Sequence, residues 1–119
     1  MKLRLVLVLL GLGLSGCAQK SIYAWGPYED GLYESYKYPD RMETFLKRLE
    51  THVIKASQDG QKVPPGVYSE MATIYLQAGN SVKAIELYEK EGLEWPESRR
   101  LMQALVASVK TKEQKNSEN

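Results

Sequence analysis

The chain has 119 residues, with 16 basic and 15 acidic side chains, one cysteine and one histidine. Without the first 16 residues it has 103 residues, enough for one small domain, and a formal charge of −1. That balance argues against a nucleic-acid-binding protein, whose affinity rests on a basic face. A single cysteine excludes an internal disulfide, so packing alone must stabilise the fold.

The N-terminal segment has the three-part layout of a secretion signal. Lys2 and Arg4 form a positive start, residues 5–14 are apolar or glycine, and small residues lead to Cys17. A membrane-spanning helix needs about 18 apolar residues, whereas this stretch is shorter and contains glycines. We therefore predict that residues 1–16 are a signal peptide.

The run Leu-Ser-Gly-Cys that ends at Cys17 resembles a bacterial lipobox. The resemblance implies that the thiol takes a diacylglycerol, that a further acyl chain such as palmitate follows, and that the protein is a lipoprotein. Plain secretion and a signal anchor are the alternatives, but secretion would leave one unpaired thiol in an oxidising compartment. Two or three acyl chains hold a protein durably to a bilayer. Ala18, where retained inner-membrane lipoproteins usually have aspartate, implies the periplasmic face of the outer membrane.

Residues 17–38 form a lipidated, aromatic-rich arm that holds five of the eight tyrosines. Gly26-Pro27 and Asp30-Gly31 are turn signals, so we predict an irregular arm with one helical turn near residues 32–36. The aromatic side chains either pack on the helices as core or bind a partner or a sugar. The candidates for partner binding in this arm are Tyr23, Trp25, Tyr28, Tyr33 and Tyr36.

The rest of the chain predicts an all-α domain at residues 39–110 with about four helices. The first helix covers residues 40–56, where Asp40 and Glu43 have the spacing of a capping box. A loop at residues 57–66 separates it from two shorter helices at residues 67–77 and 81–91. A last helix begins near Pro96, and residues 111–119 form a polar, frayed tail.

Residues 65–98 match the tetratricopeptide pattern of aromatic, small and proline positions. The matching residues are Tyr68, Met71, Ala72, Tyr75, Ala84, Tyr88 and Pro96. The resemblance implies a helical hairpin in a small tetratricopeptide-like array, with a plain helical bundle as the alternative. Such repeats bind peptides or protein surfaces between helices, here near Tyr75, Asn80 and Lys83. Glu91 replaces the usual small residue, which predicts that the second helix ends at Glu91-Gly92.

The residues that could act as acids, bases or metal ligands do not form a catalytic pattern. His52 borders the apolar stripe of the first helix, so we interpret it as a satisfied, half-buried histidine rather than a ligand or base. Two acidic groups could each pair as acid and base, but both are expected on solvated surfaces. These groups are Glu29, Asp30 and Glu34, and Glu89, Glu91 and Glu94. We therefore predict no enzymatic activity, no metal site and no cofactor.

The lipobox, the aromatic run from Tyr23 to Tyr36 and the short helical domain together resemble a family of small uncharacterised Gram-negative lipoproteins. Members of that family are commonly encoded beside a lipoprotein similar to CsgG, the curli-secretion pore. The resemblance implies a non-catalytic interaction or assembly accessory in a cell-envelope complex, with a CsgG-like lipoprotein as a partner. The alternative is an envelope lipoprotein that binds peptidoglycan or another glycan through the aromatic arm.

Overall fold

The computed structural model describes residues 23, 25, 26 and 28–118, and this part of the chain is all-α. The predicted signal peptide, the predicted lipidation site Cys17 and Ala18 lie outside the described residues. The described residues form five α-helices, four of them in the domain where about four were predicted and one in the aromatic arm. They are α1 (Tyr28–Lys37), α2 (Met42–Gln58), α3 (Val67–Gln77), α4 (Ser81–Glu94) and α5 (Arg99–Ser117). Short 3-10 turns at Pro39–Arg41 and Pro96–Ser98 precede α2 and α5.

Each helix packs mainly on the next one along the chain, so the core is a continuous layer through the array. The α3–α4 hairpin lies at its centre, with α2 on one side and α5 on the other. The predicted stripe of α2 supplies Phe45, Leu46, Leu49 and Val53 to this core. The α5 stripe supplies Met102, Val106 and Val109. The described residues contain no β-strand, only an isolated bridge between Tyr23 and Lys62.

The α3–α4 hairpin forms where the pattern predicted it. Helix α3 has the predicted bounds, and Gly79 adopts a positive φ of 82° in the turn that follows it. Asn80 caps α4 by accepting a hydrogen bond from the Lys83 backbone N–H at 3.0 Å. Ala72 and Ala84 have no exposed surface, as expected where two helices approach closely.

The prediction that the second helix ends at Glu91-Gly92 is wrong, because α4 continues to Glu94. Glu91 instead faces the start of α3, and only 1% of it is exposed. Its Oε1 accepts a hydrogen bond of 2.6 Å from the backbone N–H of Gly66, the N-cap of α3. The first N–H groups of a helix have no partner within the helix. The glutamate that departs from the repeat pattern therefore caps the neighbouring helix of the hairpin.

The interpretation of Glu91 as a solvated carboxylate is also wrong. Burial raises the pKa of this carboxyl group, although the backbone N–H groups of Gly66, Ser69 and Tyr68 oppose the shift. Its Oε2 is buried and has no hydrogen-bond partner among the described residues. Desolvation outweighs the hydrogen bonds because only one of the two oxygens is well satisfied.

The aromatic arm is more regular than predicted, since α1 occupies ten of its residues. The turn predicted at Asp30-Gly31 is absent, and both residues are helical. A Cβ atom on Gly31 would lie 2.4 Å from the Phe45 ring, closer than any real contact. Gly31 therefore allows α1 to pack against α2. The glycine that this close packing requires follows Asp30, and the Asp-Gly pair has the same appearance in the sequence as a turn.

Two helix ends also differ from the predictions. The Asp40–Glu43 capping box does not form, because residues 39–41 make a 3-10 turn and α2 begins at Met42 without a side-chain cap. The predicted frayed tail is helical as far as Ser117, although its side chains are exposed. Helix-forming lysine, glutamate and glutamine allow α5 to continue beyond the core.

Candidate functional site

The aromatic residues of the arm divide into a packed group and an exposed group. The packed group is a chain of neighbouring rings that starts on α1 and ends on the buried Trp95 beside α4. Successive centroids lie 6.1 Å apart for Tyr28 and Trp25, 6.2 Å for Trp25 and Tyr23, and 5.7 Å for Tyr23 and Trp95. Such edge and tilted contacts stabilise aromatic clusters. Tyr23 and Tyr28 are half-buried here, and 41% of Trp25 is exposed.

The exposed group lies on the outer face of α1 and in the turn that follows it. Tyr33 and Tyr36 are each 68% exposed, and the Tyr36 hydroxyl donates a 3.3 Å hydrogen bond to Glu70. The Lys37 ammonium lies 5.7 Å from the Tyr33 ring centroid and 5.4 Å from that of Tyr38. The guanidinium carbon of Arg41 lies 4.7 Å from the Tyr38 ring centroid. We call Tyr33, Lys37, Tyr38 and Arg41 the α1 aromatic cluster.

A groove of about 320 Å³ lies between α2 and α4, with α3 behind it. It has an apolar floor and a charged rim. The floor and wall are formed by Val53, Ile54, Tyr68, Met71 and Leu87, and the rim by Glu50, Lys83, Glu86 and Lys90. A surface of this kind favours a peptide or a protein segment with mixed apolar and charged side chains. We call it the α2–α4 groove.

The three residues predicted for groove binding have different positions. Lys83 lines the α2–α4 groove and pairs with Glu86 at 3.0 Å. The Tyr75 hydroxyl donates to the rim carboxylate Glu50, and this bond raises the pKa of Tyr75 to about 12. Asn80 does not face the groove, because its side chain caps α4. The structure therefore brings Lys83 to the groove, connects Tyr75 to its rim and gives Asn80 a structural role.

Tyr68 is the aromatic residue that lies between the hairpin core and the groove. Burial, together with the nearby Glu94 carboxylate, raises its pKa to about 12, so the hydroxyl stays protonated as a donor. It donates to Glu94 at 3.4 Å, and the Lys90 ammonium lies 4.7 Å from its ring centroid. Tyr68 is therefore a buried part of the groove floor, with the Lys90 cation beside its ring.

His52 is half-buried on α2, as predicted. Gly26 lies so close that a Cβ atom there would be 2.4 Å from the imidazole ring. Gly26 also has a positive φ of 50°, and the Tyr28 N–H closes the turn by donating to the Trp25 carbonyl at 3.2 Å. The histidine thus packs against the turn that leads into α1.

No group of three or more histidine, cysteine, aspartate or glutamate side chains in residues 23, 25, 26 and 28–118 has a geometry that would hold a metal ion. Within the same part of the chain, every helix is too short or too polar to cross a bilayer.

Several groove and cluster residues were missed by the sequence analysis. On the α2–α4 groove they are Glu50, Ile54, Glu86 and Lys90. On the α1 aromatic cluster they are Lys37, Tyr38 and Arg41. The four-residue spacing of Tyr33 and Lys37 on one helix face was a usable signal. The contacts between helices had no comparable signal in the sequence.

The comparison with known families gives one result. A family model described as a domain of unknown function (DUF4810) matches residues 22–105, well over half of the chain. The match covers the packed rings of the aromatic arm, the helices α1 to α4 and the first part of α5. No curated protein and no solved structure matches the chain. The protein therefore belongs to the DUF4810 family.

Proposed function

We propose that this protein is a lipoprotein, anchored through Cys17 to the periplasmic face of the outer membrane, that acts as a non-catalytic assembly accessory. It binds a protein of a cell-envelope complex, and a CsgG-like secretion lipoprotein is the partner implied by the resemblance described above. The observation that carries the interaction role is the α2–α4 groove, with its apolar floor and charged rim.

Three features support a tetratricopeptide-like mode of binding. The hairpin has wholly buried Ala72 and Ala84 at the predicted close approach. The hydroxyl of Tyr88 lies 2.9 Å from that of Thr73, and this contact joins α3 to α4. The rim residues Lys83 and Lys90 are about two helical turns apart on α4, so a bound segment would contact several positions along the groove.

The experiment is cross-linking and pull-down of the acylated protein from its native envelope. We expect one stoichiometric partner with the wild type and its loss with the double variant Lys83→Glu/Lys90→Glu. The matched control is Lys112→Glu, a charge reversal at an exposed α5 position away from the groove. Partner recovery that is equal in all three proteins would overturn the assignment to the α2–α4 groove.

The anchor has a separate test. Cys17→Ser should release the protein from the membrane fraction and abolish complementation of a deletion strain, while circular dichroism shows an unchanged helical domain. Full complementation by the soluble periplasmic variant would show that the lipid is dispensable and would contradict this part of the proposal.

A second candidate function is binding of peptidoglycan or another glycan, favoured by the exposed α1 aromatic cluster. Tyrosine rings with cations beside them can stack on sugar faces and bind their acidic groups. Retention of the soluble protein on murein sacculi, lost in Tyr33→Ala/Tyr38→Ala, would favour this candidate. The Trp25→Ala variant tests the packed rings separately from the exposed ones, because Trp25 belongs to the packed group.

A further inference from the structure

A second groove, of about 510 Å³, lies between α4 and α5 on the side of the hairpin away from α2. Met102 and Val106 form its floor, and Gly92 brings α4 close to them. Leu93 stands on its edge with 75% of its surface exposed. The α4–α5 groove is therefore an apolar surface that no described helix covers.

The two walls of this groove carry opposite charges. The α4 wall has the carboxylate Glu89, and the α5 wall has Arg99 and Lys110. None of the three forms an ion pair with a described residue. Glu89 and Leu93, four residues apart, also lie on the same exposed face of α4 as the 79% exposed Val82. One surface thus presents an acidic and apolar row beside a basic row.

We propose that this surface binds the same surface of a second copy of the chain. A two-fold axis that runs along the groove places α4 of each copy over α5 of the other. The Glu89 wall of one copy then faces the α5 wall of its partner, where Arg99 and Lys110 lie to either side of Glu89, and Leu93 enters the apolar floor. A two-fold axis across the groove would instead place like charges together, so the charge pattern selects one arrangement.

This inference goes beyond the proposed function and does not depend on the lipid anchor. A second copy is favoured because the surface carries the complement of its own charge pattern. Nine residues line the groove, fewer than the roughly 20 to 30 per partner of a standard interface. We therefore expect a reversible dimer with an affinity in the micromolar range rather than an obligate one.

The first test is sedimentation of the full mature chain carrying Cys17→Ser over a micromolar to millimolar concentration series. We expect a monomer–dimer equilibrium that Leu93→Glu weakens about tenfold or more, since a buried charge must then be desolvated. Leu101→Glu is the matched control, because Leu101 is an α5 leucine that is 61% exposed and lies outside the groove. Circular dichroism of both variants checks that the helices are intact.

The second test is a charge exchange. Glu89→Lys and Lys110→Glu should each weaken the dimer, and the double variant should restore it because the opposite charges then face each other again. A chain that is monomeric throughout the series overturns the proposal, as does a dimer that Leu93→Glu leaves unchanged. A monomer whose envelope partner is lost in Leu93→Glu overturns it in favour of a different protein in the groove.

Discussion

The α3–α4 hairpin and the aromatic segment that ends in α1 use tyrosine in opposite ways. In the hairpin, Tyr68 and Tyr88 are 3% and 2% exposed and lie in the core. On α1, Tyr33 and Tyr36 are 68% exposed, while the helix buries its two small residues, Gly31 and Ser35. The difference shows that close approach of helices can decide which residues are buried, in place of side-chain hydrophobicity.

The physical reason lies in the neighbour of each helix. Helix α1 packs so close to Phe45 that no side chain fits between them at Gly31. Ser35 is fully buried, and its hydroxyl is satisfied by the Leu32 carbonyl at 2.8 Å. In the hairpin, Ala72 and Ala84 are wholly buried, and the rings of Tyr68 and Tyr88 are buried in the same core.

The largest effect is expected in the hairpin. Tyr88→Ala should lower the free energy of unfolding by about 3 to 5 kcal/mol, because it leaves a cavity where an aromatic side chain was buried. Tyr88→Phe should cost much less, since only the contact with the Thr73 hydroxyl is lost. Urea denaturation followed by circular dichroism measures both. Similar losses for the two variants would contradict a packing role for the ring.

A smaller effect is expected where α1 meets α2. Gly31→Ala should destabilise the protein by about 1 to 3 kcal/mol through overpacking against Phe45. Alanine normally stabilises a helix interior by about 1 kcal/mol relative to glycine, so the sign of the change is diagnostic. The penalty should shrink in a Phe45→Leu background, which a double-mutant cycle measures. A stabilised Gly31→Ala variant would show that the two helices do not pack closely.

The buried Glu91 should make the hairpin sensitive to pH. Its pKa in the folded protein is raised above the ordinary value near 4.5, so the folded state binds the proton more tightly than the unfolded state does. The free energy of unfolding should then fall as the pH rises from about 4.5 through the raised pKa, and level off above it.

Glu91→Gln isolates this contribution because the amide oxygen can still accept the Gly66 N–H without a charge. The stability difference between wild type and variant should follow the described pH dependence, measured by urea denaturation at a series of pH values. Glu86→Gln, on the exposed face of the same helix, is the control. A wild type that gains stability relative to Glu91→Gln as the pH rises would contradict the raised pKa.

The smallest effect is expected on the outer face of α1. Tyr33→Ala should change the free energy of unfolding by less than about 0.5 kcal/mol, since the ring is exposed and its contact with Lys37 is a surface one. Thermal unfolding compared with Tyr88→Ala checks the contrast directly. A loss similar to that of Tyr88→Ala would show that both tyrosine groups are structural.

The helical domain was largely predictable from local patterns. The apolar stripe of α2, the bounds of α3 and the Asn80 cap of α4 all follow from spacing and residue type over a few turns, and the structure confirms them. The ends of α4 and α5 were placed too early, because a buried glutamate and a polar tail both resemble termination signals. The lipidation of Cys17 stays a prediction, since it lies outside the described residues.

The candidate surfaces were less predictable. Lys83 was found from the repeat pattern, but Glu50 and Lys90 reach the same groove only because α2 packs beside the hairpin. The α4–α5 groove had no local signal in the sequence, since its two walls belong to different helices. The apolar residues of its floor have the same spacing in the sequence as residues of the hydrophobic core.

The sequence by itself therefore determined the all-α class, the positions of α2 to α5 and the apolar stripes of α2 and α5, because these depend on periodicity within one segment. The tertiary structure alone decided that Gly31 makes a close contact with Phe45, that Glu91 caps a different helix, and that opposite charges flank one groove. Each of these depends on which side chains from separate segments meet, and that information is not contained in the spacing of any one segment.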